Sequence, residues 1–354
     1  MNIPAADLKR ILKKLQPVKT ETYRFDVDGI VAQDSDVVVV VDGPKFGGTF
    51  NINGKKLSSV VNRMSGQIDA QQSGNKLTLK SAKAVVDLEI QPVKSVALPE
   101  EAKNSVVFEA GPFKKALAVA FASASPAKSA AFGGAVQLQS QPLDIHNDGP
   151  LPQSYRIVGT DSIVLTVATV LQQVPKPFKT LINLTAASIV QIMDGPDITI
   201  GDTEKYLVIK SGDTTVYAAK PVQKYPDFDK LLAMPATIKF KLKPQEWLSA
   251  LRTVEALIDE EQDKGAIALH LAEGVVILKN IGVGHVASDE AAYEQLDPDP
   301  VFDPKEITLK LTAKYLSGFL TRSGENATLG ITEHPVRLES DGVVVLTMPV
   351  GGKK

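Results

Sequence analysis

The residues that could do chemistry are few, and their spacing argues against a reacting centre. His146, His270, His285 and His334 are scattered, and no HxxxH or HxE pair exists to seat a metal. There is no cysteine, which removes thiolate sites, thiol nucleophiles and disulfides and fits a reducing compartment. Asp297, Asp299 and Asp303 could gather a hard cation, but they lack the glycine and closing glutamate of a calcium loop. The interleaved prolines predict an exposed loop there instead. GVGHVA (282–287) mimics a dinucleotide fingerprint after a strand, yet acidic, proline-rich sequence follows where a helix is required. Neither a GxxxxGK[ST] loop nor a GxSxG elbow occurs. The expectation is a protein that is not an enzyme, without metal or cofactor.

Composition agrees with a globular chain. Its 354 residues suit two or three domains, with 44% hydrophobic and 23% charged residues. No apolar run reaches the roughly 18 residues of a membrane span. The first residues, MNIPAADLKRILKKL, are charged too often for a signal peptide, so a cytoplasmic protein is expected. Lys and Arg total 39 against 41 Asp and Glu, a net charge of -2. Binding to nucleic acid would therefore need bases segregated onto one surface.

The chain repeats itself. FNINGKKLSSVVNRMSG, LINLTAASIVQIMDG and LKLTAKYLSGFLTRSG each read as a strand and an amphipathic helix reaching a glycine. Those glycines, Gly66, Gly195 and Gly324, are 129 residues apart (195 − 66 and 324 − 195). A second marker keeps nearly the same step: KLTLKSAKAVVDLEIQP, YLVIKSGDTTVYAAKP and PVRLESDGVVVLTMP align on Ser81, Ser211 and Ser340. Apolar residues two and four places before each serine give the period of a strand. Two markers holding one spacing twice point to triplication.

Each unit also has a first half with its own helix, near Ala5–Leu15, Pro112–Ser123 and Pro244–Ile258. Two of these open on the proline that suits a first helical turn. The predicted fold is α+β: three repeated domains, each with two helices packed on antiparallel sheet. Boundaries near Leu98–Lys103 and Lys224–Pro235 give domains 1–102, 103–228 and 229–354.

Charge is distributed by element. In the first helix Leu8, Ile11, Leu12 and Leu15 form one stripe, which puts Lys9, Arg10, Lys13 and Lys14 on the other face. Lys55, Lys56 and Arg63 point away from the stripe Leu57, Val60, Val61 and Met64. Outward bases then thin to Lys115, Arg252 and Lys314, while acids gather in the loops 259–263 and 288–303. Basic helices on an acidic chain predict a surface that meets phosphates without reading sequence.

Three short stretches resemble the bacterial beta sliding clamp. GTDSIVLTVA (159–168) is similar to the clamp segment ATDGHRLAV, KYPDFDKLL (224–232) to FPDYRRVLP, and VVVLTMPV (343–350) to YVVMPMRL. Their order and spacing agree with the repeat, so the resemblance spans residues 4–350, in the first domain mostly through architecture. It implies three clamp-type domains per chain, closing head to tail into a ring of two chains. Helices would line the hole, and the basic residues named above would face double-stranded DNA.

The resemblance further implies partners: a replicative DNA polymerase and a clamp loader, docking short peptides in an apolar cleft. Its walls would be Phe132, Thr160, Ile163, Leu165, Pro226, Lys230, Leu231, Leu346 and Met348, with Leu257 and Ile258 at the subunit interface. Ser162, Ile163 and Val164 replace the family's GHR, so this wall is more apolar. A GGKK tail also runs past the usual end. These departures suggest a divergent, phage-type clamp. Two other readings stay open: a non-ring accessory protein of the same fold, and an enzyme using the acidic loop of Asp297, Asp299 and Asp303.

Overall fold

A computed structural model describes residues 1–27, 29–46, 48–94, 97–124, 134–142, 153–173, 178–221, 225–236, 238–256, 266–272, 275–280, 285–289, 293–295, 306–325, 327–332 and 335–349. The first third runs β1 (Asn2–Pro4), α1 (Ala5–Leu15), β2 (Thr22–Asp26), β3 (Gly29–Gln33), β4 (Val37–Val41), β5 (Phe50–Asn53), α2 (Gly54–Arg63), β6 (Gln67–Ser73), β7 (Lys76–Ser81) and β8 (Ala84–Pro92). The middle third repeats that order: β9 (Lys103–Glu109), α3 (Ala110–Phe121), β10 (Ala135–Pro142), β11 (Gln153–Thr160), β12 (Val164–Leu171), β13 (Lys179–Asn183), α4 (Leu184–Ile192), β14 (Asp197–Asp202), β15 (Tyr206–Ser211) and β16 (Thr214–Ala219). The last third opens with the short α5 (Asp229–Leu232) and β17 (Ile238–Leu242), α6 (Pro244–Glu255), β18 (Ala266–Ala272), β19 (Val275–Asn280) and β20 (His285–Asp289). It ends with β21 (Tyr293–Gln295), β22 (Glu306–Thr312), α7 (Ala313–Arg322), β23 (Ala327–Ile331), β24 (Val336–Ser340) and β25 (Val343–Thr347).

Local chemistry explains the repeated helix starts. Asn53 accepts a hydrogen bond from Lys56 N at 2.9 Å, and Asn183 accepts one from Ala186 N at 2.8 Å, each capping its helix. Thr312 holds the third position without a side-chain cap. The helix exits diverge from the sequence expectation, because each helix ends before its glycine. Only Gly66 is left-handed, at φ +71°. Gly195 is required by close approach instead, since a Cβ would lie 2.4 Å from the backbone Gly212 N, whereas at Gly324 a Cβ would meet only the movable carboxylate of Asp341.

Two compact units divide the chain, and the division runs through the middle third. Unit one holds residues 1–117 and 172–222, unit two 118–171 and 223–354. Unit one carries a twelve-stranded sheet in the order β1-β6-β7-β8-β5-β2-β3-β4-β16-β15-β14-β9. Unit two carries the run β10-β11-β12-β25-β24-β23-β17-β21 and a four-stranded sheet β20-β19-β18-β22. In both, the last strand of one repeat's first half pairs antiparallel with the last strand of the next repeat. Val41 faces Thr214 across β4 and β16, and Ala168 faces Val343 across β12 and β25.

The apolar stripes supply the cores. Leu8, Ile11, Leu12 and Leu15 of α1 are buried, as are Leu57 and Val61 of α2. In unit two, Trp247 and Leu251 of α6 meet Leu316, Phe319 and Leu320 of α7 over Phe240 and Leu329. Each such side chain contributes about 1.5–3 kcal/mol when fully buried, so these stripes fix which helix face is free.

Candidate functional site

An apolar patch lies on one face of the unit-two sheet, where β12 meets β25. Leu165 and Leu346 stand opposite each other and are buried with Val158, Val167 and Phe228. Beyond them Ile163 and Met348 stay about half exposed, at 51% and 45%, and Met348 N donates to Ile163 O at 3.1 Å. Large apolar side chains left in water beside a buried cluster mark a contact surface.

The turn presenting Ile163 is fixed by hydrogen bonds. Asp161 accepts from Ile163 N at 3.0 Å and Val164 N at 2.9 Å, and Thr160 donates to Val164 O at 2.7 Å. Its other carboxylate oxygen accepts from the Tyr315 hydroxyl, whose pKa is raised by burial and by that acid. Ser162 holds a left-handed φ of 79°, a strained position for a residue with a Cβ.

Packed beside this patch is the segment Tyr225–Leu232, pinned to the sheet at four points. Tyr225 donates to Val158 O at 2.9 Å, and burial pushes its pKa up. Arg156, only 5% exposed, pairs with Asp229 and lies 4.9 Å over the Phe228 ring. Arg337 donates to Leu232 O at 2.6 Å. Pro226 is half-buried there, and Lys230 and Leu231 are exposed on α5.

The structure thus brings Thr160, Ile163, Leu165, Pro226, Lys230, Leu231, Leu346 and Met348 into one unit. Phe132, Leu257, Ile258, Asp297, Asp299 and Asp303 lie outside the described residues. Arg156, Arg337, Tyr225, Phe228 and Asp161 were not singled out from sequence. Their partners are mostly far away in the chain, and only the TD step at 160–161 and the aromatic pair in KYPDF carried a local signal.

The helix faces hold the bases. Lys13, Lys55, Lys56, Arg63, Lys115, Arg252 and Lys314 are exposed and Lys9 is half-buried. Lys14 corrects the sequence expectation. It is 1% exposed, and its ammonium sits 2.6 Å from both Asp194 and Asp213. Lys14 lies three residues after Ile11, at the edge of the apolar stripe, and becomes interior because Asp194 and Asp213 close over it. Arg10 keeps partial exposure but bonds the same two carboxylates at 2.7 Å.

The hydrogen bond from Lys14, then that from Arg10, holds Asp194 below its ordinary pKa. Burial pushes Asp213 up, but hydrogen bonds from Lys14 and Thr214 outweigh it and leave it lowered. The hydrogen bonds that Arg10 donates to Asp194, then to Asp213, raise its own pKa. No helix among the described residues is long and apolar enough to cross a membrane.

No family model matches the chain, and no curated protein matches it. Solved structures do. The DNA polymerase III beta subunit from Thermotoga maritima superposes with a TM-score of 0.82 at 15% identity, over 99% of either chain. That from Pseudomonas aeruginosa gives 0.78 at 16%, again over 99% of both chains. A Helicobacter pylori beta clamp bound to a DNA ligase peptide gives 0.75 at 16% with the same coverage. The chain has the fold of the bacterial beta clamp. The clamp fold accounts for the threefold order of elements along the whole length, at an identity too low for sequence matching to register.

Proposed function

We propose that this chain is a DNA sliding clamp: a ring closed by a second copy that encircles duplex DNA without reading its sequence and tethers a replicative polymerase. The observation that carries the reading is the repeated pairing rule. β4 is completed by β16 and β12 by β25. By the same rule, among the described residues β20 has no neighbour on the side away from β19, and β8 has none along Ala84–Leu88 on the side away from β7. Val85, on that stretch, is 63% exposed. A bare edge at each end of a repeated chain is satisfied when β20 of one copy meets β8 of the next. Leu257 and Ile258 are proposed to add apolar contact there.

On this reading three domains, 1–102, 103–228 and 229–354, supply the arc of the ring. Lys9, Lys13, Lys55, Lys56, Arg63, Lys115, Arg252 and Lys314 face the phosphates, with Arg10 contributing only the part of its charge that Asp194 and Asp213 leave. Holding DNA topologically needs no tight contact, so a sparse, mobile lining suffices. The groove between Ile163, Met348 and α5 takes apolar anchors of short peptides from the polymerase and a clamp loader, with Phe132 as a further wall. The activity needs no bound cofactor and belongs in the cytoplasm with the replication machinery.

Loading onto nicked circular DNA, with loader present, tests the reading. The protein is expected to stay on a closed circle, leave on linearisation, and run in solution as a closed oligomer. A monomer mass at every concentration sinks the ring. Ile163→Asp with Met348→Asp, both at exposed positions, is expected to weaken binding of a polymerase-derived peptide by about 100-fold or more while the oligomer persists.

A further inference from the structure

A cavity of about 360 Å³ lies within unit two, between the end of α3, the α7 helix and the sheet. It is distinct from the apolar patch, since Val164 and Val345 line the cavity while their neighbours Leu165 and Leu346 belong to the patch. The repeat explains why it is there. The buried apolar positions of α1 and α3 correspond one for one at an offset of 105, from Ala5 and Ala110 through Leu8 and Phe113 to Leu15 and Ala120, while Val119 is only half-buried where Lys14 is buried. Lys14 therefore corresponds to Val119. Across from it, at the 129-residue step, Asp194 corresponds to Ser323 and Ser211 to Ser340. Val119, Ser323 and Ser340 all line the cavity. The space that a paired lysine fills in one repeat is left open in the next.

We propose that this cavity binds a nucleotide: a phosphate ester carrying a planar base. Its rim has two cations, Lys314 and Arg322, neither in an ion pair among the described residues. Arg322 spends one donor on Gly318 O at 2.7 Å and keeps the rest of its fork. Ser317 also lines the cavity and has a hydroxyl to offer, while the Ser323 hydroxyl already donates to Phe319 O at 2.9 Å and is left only to accept. Ammonium, guanidinium and hydroxyl donors are the set that holds phosphate oxygens. Val164, Val343 and Val345 add an apolar part to the lining, which suits a base. Glu255 on α6 is the one carboxylate among the lining residues. It leaves a net positive rim and accepts from a sugar hydroxyl or an exocyclic amine. The volume falls in the range of small-ligand sites, ~300–1,000 Å³.

The nucleotide could come from solution or from the end of a DNA strand, and the proposal does not depend on ring closure. The test is calorimetric titration of the full chain with deoxyadenosine monophosphate, with inorganic phosphate, with deoxyadenosine, and with a duplex bearing a one-nucleotide overhang. Deoxyadenosine monophosphate is expected to bind at least ~10-fold more tightly than either fragment. Arg322→Gln, an exposed change that leaves the fold intact, is expected to weaken it by about 10-fold or more, and Val119→Phe to abolish it by filling the space. Competition by the overhang duplex but not by a blunt one assigns the strand end as the source; its absence assigns free nucleotide. Equal binding of fragments and nucleotide, binding unchanged in Val119→Phe, or no heat at millimolar nucleotide overturns the site.

Discussion

The same helix-to-sheet position is built twice in opposite ways, once around a charge and once around a void. In unit one Lys14 reaches between Asp194 and Asp213, with Arg10 on the same oxygens. In unit two Val119 stops short, and a cavity remains. Both positions follow an equivalent helix stripe and face an equivalent turn, so backbone geometry does not choose between them. One long side chain does. An ammonium taken out of water is stable only when its partners hold it, and here two carboxylates do so.

The largest expected effect comes from breaking the charged version. Lys14→Met leaves two acids with Arg10 alone and is expected to cost about 2–4 kcal/mol in urea unfolding. That is below the value for a fully sealed pair because Asp194 keeps 48% side-chain exposure. A cost near zero would mean the network is only a surface pairing. Acid titration sharpens the same point. Both folded carboxylates are held below their ordinary 3.8, so their contribution is present above that value and is lost as pH falls through the lowered folded pKa. Asp194→Asn with Asp213→Asn is expected to flatten stability against pH below about pH 4, as read by thermal melts.

The open version should respond less. Val119→Lys with Ser323→Asp transplants half the network, and a double-mutant cycle is expected to return about 0.5–1 kcal/mol of coupling. Val119→Ala should cost about 0.5 kcal/mol or less, because its methyls already face space. A loss above about 2 kcal/mol would mean the cavity closes in solution.

The apolar patch around Leu165 and Leu346 shows how much of the site is legible in the sequence. Ile163, Leu165, Leu346 and Met348 were legible because strand alternation and a family resemblance both mark them. Their order of exposure was not, since Leu165 is buried and Ile163 is not. Arg156 was invisible: a lone arginine in an apolar strand carries no sign of Asp229 or Phe228, seventy residues on. The charge tally also misled at Lys14. A helical wheel gives an angle from the axis, and an edge position becomes surface or interior only when a neighbour is placed over it.

Sequence alone determined what is local and periodic: the threefold order, the presence of the helices with their apolar stripes, and the strands reaching into each repeat's serine. Those depend on contacts a few residues apart, so the chain states them directly. Tertiary structure decided the rest. It chose close approach rather than a left-handed turn as the reason for Gly195, buried Lys14 against acids nearly two hundred residues away, and opened a cavity at Val119. Each of these turns on which surfaces meet, and a meeting of distant segments leaves no period in the sequence.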